Sequence, residues 1–419
     1  MGLIVQKFGG TSVADSEKIK NVARAVIKEK LNGNDVIVVV SAMGHTTDNL
    51  LKLSKEITTN PSKREMDMLL STGEQISMSL LAMAINELGH SAVSLTGYQV
   101  GIRTENCHMC ARIVDIETTR VKRLLKEGNI VVVAGFQGVC EGNEITTLGR
   151  GGSDTTAVAL ACAFGADRCD IYSDVEGVYT ADPRIVKTAK KLDVISYEEM
   201  LELARVGANV LHPRSVETAK PYKMPMRVRS SFKLDDLGTL IIGVDEMELN
   251  KPVTGLACDG SQVRIVICDV QDRPGNAAKL FNLLASQNLS VDMIIQSYAR
   301  HSTNTNDIAF TISESDMDKF EAIKDKINEI VNASNIYTDK DIVKVSIVGA
   351  GMIDRPGIAA KMFDTLASAD INIKMISTSE IKISCLVEKQ HKDLAAQVLC
   401  RAFELDGAMV ADVKGDLPD

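Results

Sequence analysis

The sequence predicts an α/β protein: a mainly parallel sheet covered on both faces, followed by two small modules of related sequence. Three observations predict it. Short apolar runs alternate with helical patterns over the first 245 residues, the mark of a sheet sandwiched between helices. The segment from Asp272 onward recurs 82 positions later. The 419 residues suffice for two to four domains, at roughly 100–200 residues each.

The elements follow in order. Residues 3–5 read as a strand, and Ile19, Val22, Ala23, Val26 and Ile27 then recur at helical spacing. Residues 36–40 form the next strand. Residues 68–88 predict a long amphipathic helix stopped by Gly89. Further strands are expected at 92–95, 130–134 and 169–172, and a small-residue helix at 155–164 is stopped by Gly165. In the last 170 residues, Asp272-Arg273-Pro274-Gly275 returns as Asp354-Arg355-Pro356-Gly357, and 13 of the 23 positions from 272 to 294 are identical at that offset. Each copy reads strand, Pro-Gly turn, helix, strand. Two copies imply two packed modules, whereas a solenoid needs three or more repeats. The expected domains are 1–245, 252–335 and 336–419.

Composition excludes several classes. Apolar residues make up 45% and charged residues 25%, ordinary for a globular chain. Lys and Arg number 47 against 56 Asp and Glu, a net charge of −9, which argues against nucleic acid as a partner. Aromatics at 4% and the lack of Trp argue against base-stacking platforms. No uninterrupted apolar run approaches the ~18 residues of a membrane helix. The N-terminus lacks a secretory leader, so a cytoplasmic protein without a membrane partner is expected. Nine cysteines, an odd number, fit reduced thiols. Cys107 and Cys110 make one C-x-x-C around His108; with no second pair to complete a zinc site, they read as free thiols on a loop.

Three loop constellations carry the chemistry. Lys7-Phe8-Gly9-Gly10-Thr11-Ser12 follows a strand. Paired glycines let backbone N–H groups approach a phosphate, the lysine adds a cation, and the next helix adds a positive terminus; the other reading is a plain Gly-Gly turn. It is neither a Walker A loop nor a dinucleotide fingerprint. Residues 348–354 imitate that fingerprint but lack its third glycine. The second constellation is Gly149-Arg150-Gly151-Gly152-Ser153-Asp154, before a helix. Its guanidinium suits bidentate recognition of a carboxylate or phosphate. Asp154 reads either as a helix N-cap or as the partner of a lysine or metal-bound phosphate. The third, residues 173–184, follows a strand at the sheet edge where open α/β sheets bind ligands, although taken alone it reads as a turn-rich connection. His45 and His212 are candidate bases with no triad partner at fitting spacing.

These blocks together resemble the aspartate kinases of the amino-acid-kinase superfamily. K-F-G-G-T-S-V at 7–13, S-A-M-G-H-T-T-D-N-L at 41–50, S-T-G-E at 71–74, L-G-R-G-G-S-D at 148–154, Y-S-D-V-E-G-V-Y-T-A-D-P-R at 172–184, V-L-H-P-R-S-V-E at 210–217 and V-R-S-S-F at 228–232 follow in family order. The repeats resemble ACT domains. The resemblance implies an amino-acid-kinase α/β/α sandwich followed by two ferredoxin-like ACT modules. It implies ATP-dependent phosphorylation of the L-aspartate β-carboxylate to 4-phospho-L-aspartate, the first step toward lysine, threonine and methionine, with Mg²⁺ carried by the nucleotide phosphates.

By the same resemblance Lys7 contacts the transferring phosphoryl group and Asp154 organises that lysine. Gly9 and Gly10 wrap the phosphates, while Ser41, Ser173, Asp174, Tyr179 and Arg184 hold the nucleotide. Thr47, Glu74, Arg150 and Ser153 hold aspartate, Glu74 at its ammonium. No dedicated protein metal site is implied. Two departures stand out: Asn209 replaces a frequent lysine, and Arg103-Thr104-Glu105-Asn106 stands where relatives often have Thr-Asp. Lysine, threonine or both are expected as inhibitors, binding where ACT modules of a homo-oligomer meet. Asp272, Pro274, Gly275, Asp292 and Gln296 are expected on one side, and Met352, Ile373, Ser379 and Glu380 on the other. Asp292→Ala is expected to raise the inhibitor concentration needed and leave basal turnover intact. Met226 and Met247 are candidate internal starts of a separate regulatory chain.

Overall fold

The computed structural model describes residues 2–208, 210–246, 251–298, 303–353 and 355–407. It divides into two compact units. The first comprises residues 1–179, 191–205 and 209–248, and the second 180–190, 206–208 and 249–419.

In the first unit the central strands are β1 (Leu3–Phe8), β2 (Asp35–Val40), β3 (Ala92–Leu95), β4 (Ile130–Ala134) and β5 (Arg168–Ser173). β2 and β4 read DVIVVV and IVVVA, near-continuous apolar runs, because both faces of a parallel sheet are buried. The eight-stranded sheet is completed by β6 (Val194–Ser196), β7 (Met226–Ser230) and β8 (Thr239–Ile242), in the order β6-β8-β7-β5-β1-β2-β4-β3. All neighbours are parallel except β7 and β8. A smaller sheet joins residues 102–104, 113–116, 137–139 and 145–147.

The helices that matter for the site are α1 (Ser16–Leu31), α2 (Thr46–Ile57), α3 (Lys63–Glu87) and α4 (Gly152–Phe164). Asp15 caps α1 by accepting from the Lys18 N–H at 2.9 Å. Gly89 and Gly165 follow α3 and α4 at φ +83° and +63°, the left-handed conformation that ends helices. By length and composition alone α3 meets the requirement of a membrane-crossing helix, which uninterrupted runs did not suggest. Its inner face, with Met66, Leu70, Met78, Leu81 and Ile85, is buried within the unit. Asp67 and Glu74 are buried along the same helix.

In the second unit β9 (Gly255–Asp259) precedes β10 (Gln262–Gln271), α5 (Asn276–Ser286), β11 (Val291–Gln296), β12 (Thr305–Ser313), α6 (Lys324–Val331) and β13 (Asn335–Asp339). Then come β14 (Ile342–Val348), α7 (Ile358–Ser368), β15 (Met375–Ser379), β16 (Lys382–Glu388) and α8 (Lys392–Ala402). Two four-stranded antiparallel sheets result, β11-β12-β10-β13 and β15-β16-β14-β9. The expected boundaries at 252 and 336 differ from this arrangement. β9 pairs with β14, from Gly255 against Val348 to Asp259 against Lys344, so it occupies in the second module the edge that β13 occupies in the first. The first module is therefore inserted between β9 and the rest of the second.

The repeated Pro-Gly turns serve the same purpose twice. Gly275 (φ +95°) and Gly357 (φ +93°) open helices of 11 residues each. The fingerprint-like run at 348–354 has a structural explanation. A Cβ on Gly349 would lie 2.3 Å from the Pro252 carbonyl, and one on Gly351 2.3 Å from the Lys251 carbonyl. Those glycines admit the chain that leads into β9. Asp354, Asn209 and Met247 lie outside the described residues.

Candidate active site

The loops after β1, β2 and β5 meet at the carboxyl edge of the sheet. Ser41 N–H donates to the Phe8 carbonyl at 3.1 Å, and Gly9 N–H donates to the Tyr172 carbonyl at 3.1 Å. The Phe8 and Tyr172 rings stack beneath them, 4.5 Å between centroids. Gly10 is required by close approach, since a Cβ there would fall 2.8 Å from the Ala42 carbonyl.

The buried Lys7 side chain ends with Nζ 2.7 Å from Asp154 Oδ1. Asp154 is the third residue of α4, and Gly151 occupies the N-cap, so the capping alternative for Asp154 does not hold. Its carboxylate still lies in the first helical turn, where the helix terminus favours negative charge. Thr155 and Thr156 bond back to the Gly151 and Gly152 carbonyls at 3.1 and 2.9 Å, tightening the turn that carries Arg150 and Ser153.

Glu74 enters from α3. Its Oε1 accepts from the Ala42 N–H at 3.1 Å, while Oε2 is buried without a hydrogen-bond partner among the described residues. Burial pushes its carboxyl up to about 8, against the pull of the Ala42 hydrogen bond. Asp67, Ser71, Glu74 and Ser77 are all buried on α3. Ser77 Oγ donates to the Ser41 carbonyl at 2.7 Å, which ties this stripe to the β2 loop.

A cavity of about 560 Å³ gathers Lys7, Gly10, Ser41, Thr47, Glu74, Arg150, Ser153 and Asp154. That volume is within the ~300–1,000 Å³ typical of small-molecule sites. Gly9 lies one residue away on the same turn. Ser173 ends the neighbouring strand; its carbonyl accepts from the Ser231 N–H and hydroxyl at 2.9 and 3.0 Å. Asp174 is exposed, and Tyr179 bridges Lys191; neither lines the cavity. Arg184 belongs to the second unit, where its guanidinium grips Asp182 at 2.8 Å.

His45 is exposed beside Asp48, and half-buried His212 caps its helix by accepting from Arg214 N–H at 3.3 Å. Burial holds the His212 imidazole below its usual range, with the Arg214 charge adding to the effect. Both histidines have structural settings. Thr104 pairs with Thr146 at 2.6 Å rather than facing the cavity.

The motif reading missed Asp67. Its fully buried carboxylate accepts from Thr147 Oγ1 at 2.6 Å and from Met109 N–H at 3.1 Å, and it faces His108 Nδ1 at 2.7 Å. Thr147 and Met109 both line the cavity. The spacing 67, 71, 74 on an otherwise apolar helix face was the available signal.

Residues 2–230 match the amino acid kinase family, and residues 264–332 and 345–403 each match an ACT domain. The aspartokinase of Bacillus sp. (strain MGA3) is 53% identical over 410 residues, covering 98% of this chain and 99% of that protein. The chain belongs to the aspartokinase family. Among solved structures, E. coli aspartokinase III in complex with aspartate and ADP (R-state) aligns with a TM-score of 0.81 at 26% identity, covering 96% of this chain and all of that one. The same enzyme in complex with lysine and aspartate (T-state) gives 0.76 at 26% identity, covering 96% of this chain and 99% of that one.

The kinase's second unit holds the residues expected at an effector site. Asp272 follows β10, its Oδ1 accepting from Asn306 Nδ2 at 3.1 Å, beside the Pro274-Gly275 turn. Gln296 ends β11. Ser379 and Glu380 are exposed at the end of β15, whereas Met352 is buried in the second module's core and Ile373 packs against it. Asp292 is already committed: its carboxylate pairs with Lys344, which is 2% exposed and also lies 3.8 Å from Asp259. Lys374, the repeat counterpart of Asp292, pairs with Asp339 at 3.0 Å.

Proposed function

We propose that this kinase transfers the γ-phosphoryl group of ATP to the β-carboxylate of L-aspartate, giving 4-phospho-L-aspartate and ADP. The observation that carries the proposal is the single cavity shared by the Lys7–Asp154 pair, the Gly10 turn, Glu74 and Arg150. A carboxylate oxygen attacks the γ-phosphorus while the bond to the bridging oxygen breaks and its electrons leave with ADP. The nucleophile is already ionised, so no general base is needed, in keeping with the structural settings of His45 and His212.

The protein's task is positioning and charge neutralisation. Lys7, aimed by Asp154, meets the transferring group's negative charge. The Gly9–Gly10 turn lets the phosphates approach the backbone with no Cβ in the way, the Gly9 N–H being held by the Tyr172 carbonyl, and Ser41, Ser173, Asp174 and Tyr179 serve the nucleotide side. Arg184 is left out of this assignment because Asp182 holds it in the other unit. Arg150 forks the α-carboxylate, Glu74 meets the ammonium, and Thr47 and Ser153 complete the substrate side. The E. coli complex with aspartate and ADP supports this substrate pair.

Among the described residues no group of three or more His, Cys, Asp or Glu side chains could hold a metal. The donor set fits Mg²⁺ bound by phosphate oxygens and waters, where it would neutralise phosphate charge. Lysine, alone or with threonine, is proposed as the feedback effector; the lysine complex of the E. coli enzyme supports the first. The partly exposed Ile294 and Ile376, on β11 and β15, favour association of ACT modules in a cytoplasmic homo-oligomer serving amino-acid synthesis.

The test is Mg-ATP with L-aspartate, trapping the acyl phosphate with hydroxylamine, with and without lysine and threonine. Aspartate-dependent hydroxamate lowered by either amino acid is expected. Folded, ATP-binding protein that yields none would put an inactive amino-acid sensor or another acceptor first.

A further inference from the structure

We propose that Cys107 and Cys110 form a reversible dithiol–disulfide site whose redox state sets the aspartate KM. The two sulfurs lie 2.7 Å apart on the turn between strands 102–104 and 113–116. Cys110 is exposed and Cys107 half-buried. A disulfide needs about 2.05 Å between sulfurs, so closure asks for less than an ångström of movement.

The two intervening residues connect this turn to the cavity. His108 Nδ1 faces Asp67 at 2.7 Å, and Met109 N–H donates to both Asp67 oxygens at 3.1 Å. Met109 lines the cavity in the left-handed conformation, φ +71°, which a residue with a side chain adopts only when its surroundings hold it there. Its carbonyl is 3.1 Å from the place a Cβ of Gly149 would occupy, so the turn backs directly onto the loop carrying Arg150. Closing the bridge draws on both ends of a two-residue span whose middle is fixed to a buried carboxylate, and the strain falls on Met109.

The oxidant is a small disulfide such as oxidised glutathione. The exposed Cys110 thiolate attacks one glutathione sulfur, breaking that S–S bond and releasing one glutathione thiolate. The Cys107 thiolate then attacks Cys110 Sγ and releases the second. One S–S bond is lost and one formed, two electrons pass to glutathione, and the two cysteine protons end on the two released thiols.

The KM part rests on the aspartate reading of the cavity; the bridge itself does not, so each can fail separately. The full chain is equilibrated with mixtures of reduced and oxidised glutathione, quenched with acid, alkylated under denaturing conditions and mapped by peptide mass. A Cys107–Cys110 bridge is expected, with a several-fold rise in aspartate KM, little change in kcat, and full reversal by dithiothreitol. Cys110→Ser is expected to keep the reduced kinetics and lose the response; Cys107→Ser is the second such variant. No bridge, glutathione adducts alone, or pairing with Cys140, which lies beside Asn106 at 3.7 Å, would overturn the site. A bridge with unchanged KM, or a response that persists in Cys110→Ser, would overturn its coupling to the cavity. Hydroxamate absent at every redox setting would count against the aspartate reading, while the mass map would still decide the bridge.

Discussion

The proposed contact between Glu74 and the substrate ammonium requires this buried carboxyl to change its protonation on binding. Its carboxyl, raised by burial from an ordinary 4.5 to about 8, is protonated in the free enzyme at neutral pH. The folded state then binds one more proton than the unfolded chain between those values. The stability Glu74 contributes is present in full below about 4.5 and is lost as pH rises to 8. Glu74→Gln should flatten that slope in urea unfolding. An aspartate ammonium needs the ionised form, so each aspartate bound below pH 8 should release about one proton. Calorimetry in two buffers of different ionisation enthalpy reads this directly, and identical heats would refute it. With the charge-assisted contact gone, Glu74→Gln should raise aspartate KM roughly ten- to hundredfold and release no proton. Glu74 and Lys7 were legible because each sits in a motif. Asp67 was not, because its partners Thr147, His108 and Met109 come from distant segments that only the fold brings together.

Elements bounded by glycine were the most legible, and the two glycines flanking α4 show why their roles still differ. Gly151 and Gly165 both have positive φ, +68° and +63°. A Cβ on Gly165 would meet nothing within 4 Å, whereas one on Gly151 would lie 2.2 Å from His212 Cβ. Gly165→Ala should cost about 1 kcal/mol and leave kinetics intact. Gly151→Ala should cost more, about 1–3 kcal/mol, and raise aspartate KM by displacing the Arg150 loop. Urea midpoints and KM for the pair separate the cases, and equal effects would refute the distinction. On β11, Asp292 changes the reading of a regulatory variant. Asp292→Ala leaves the buried Lys344 cation with Asp259 alone, a loss on the order of 2 kcal/mol after allowing for the exposure of Asp292. A lowered melting temperature should therefore accompany any change in lysine inhibition; an unaltered melt would restore Asp292 to a purely effector-binding role. The internal repeat announced a strand after the helix of each copy but could not reveal that pairing, which joins two copies of the repeat.

At the scale of the molecule, chain order and compact unit do not coincide, and this bears on whether an internal start could yield a free regulatory chain. The second unit takes in residues 180–190, far upstream of its other elements. Ala181 and Val186 are buried in the second module's core. Leu256 N–H donates to the Thr180 carbonyl at 2.7 Å, the Thr180 hydroxyl to the Leu405 carbonyl at 2.5 Å, and Gly407 N–H to the Thr188 carbonyl at 2.7 Å. No local pattern in 180–190 announces this, because those partners lie from 76 to 225 positions away. A chain begun at Met226 would carry β7 and β8 with no sheet to join, since β7 pairs with β5. A chain of residues 247–419 avoids that fault but lacks 180–190. Losing two buried apolar side chains and three hydrogen bonds costs on the order of 3 kcal/mol. For a domain of this size that is roughly 5–10 °C in melting temperature. A synthetic peptide of residues 178–192, added to the 247–419 fragment, should recover part of that difference in a concentration-dependent way. A melt unaffected by the peptide would mean that the second module closes its own core without the upstream segment, and an internal start would then be structurally sufficient.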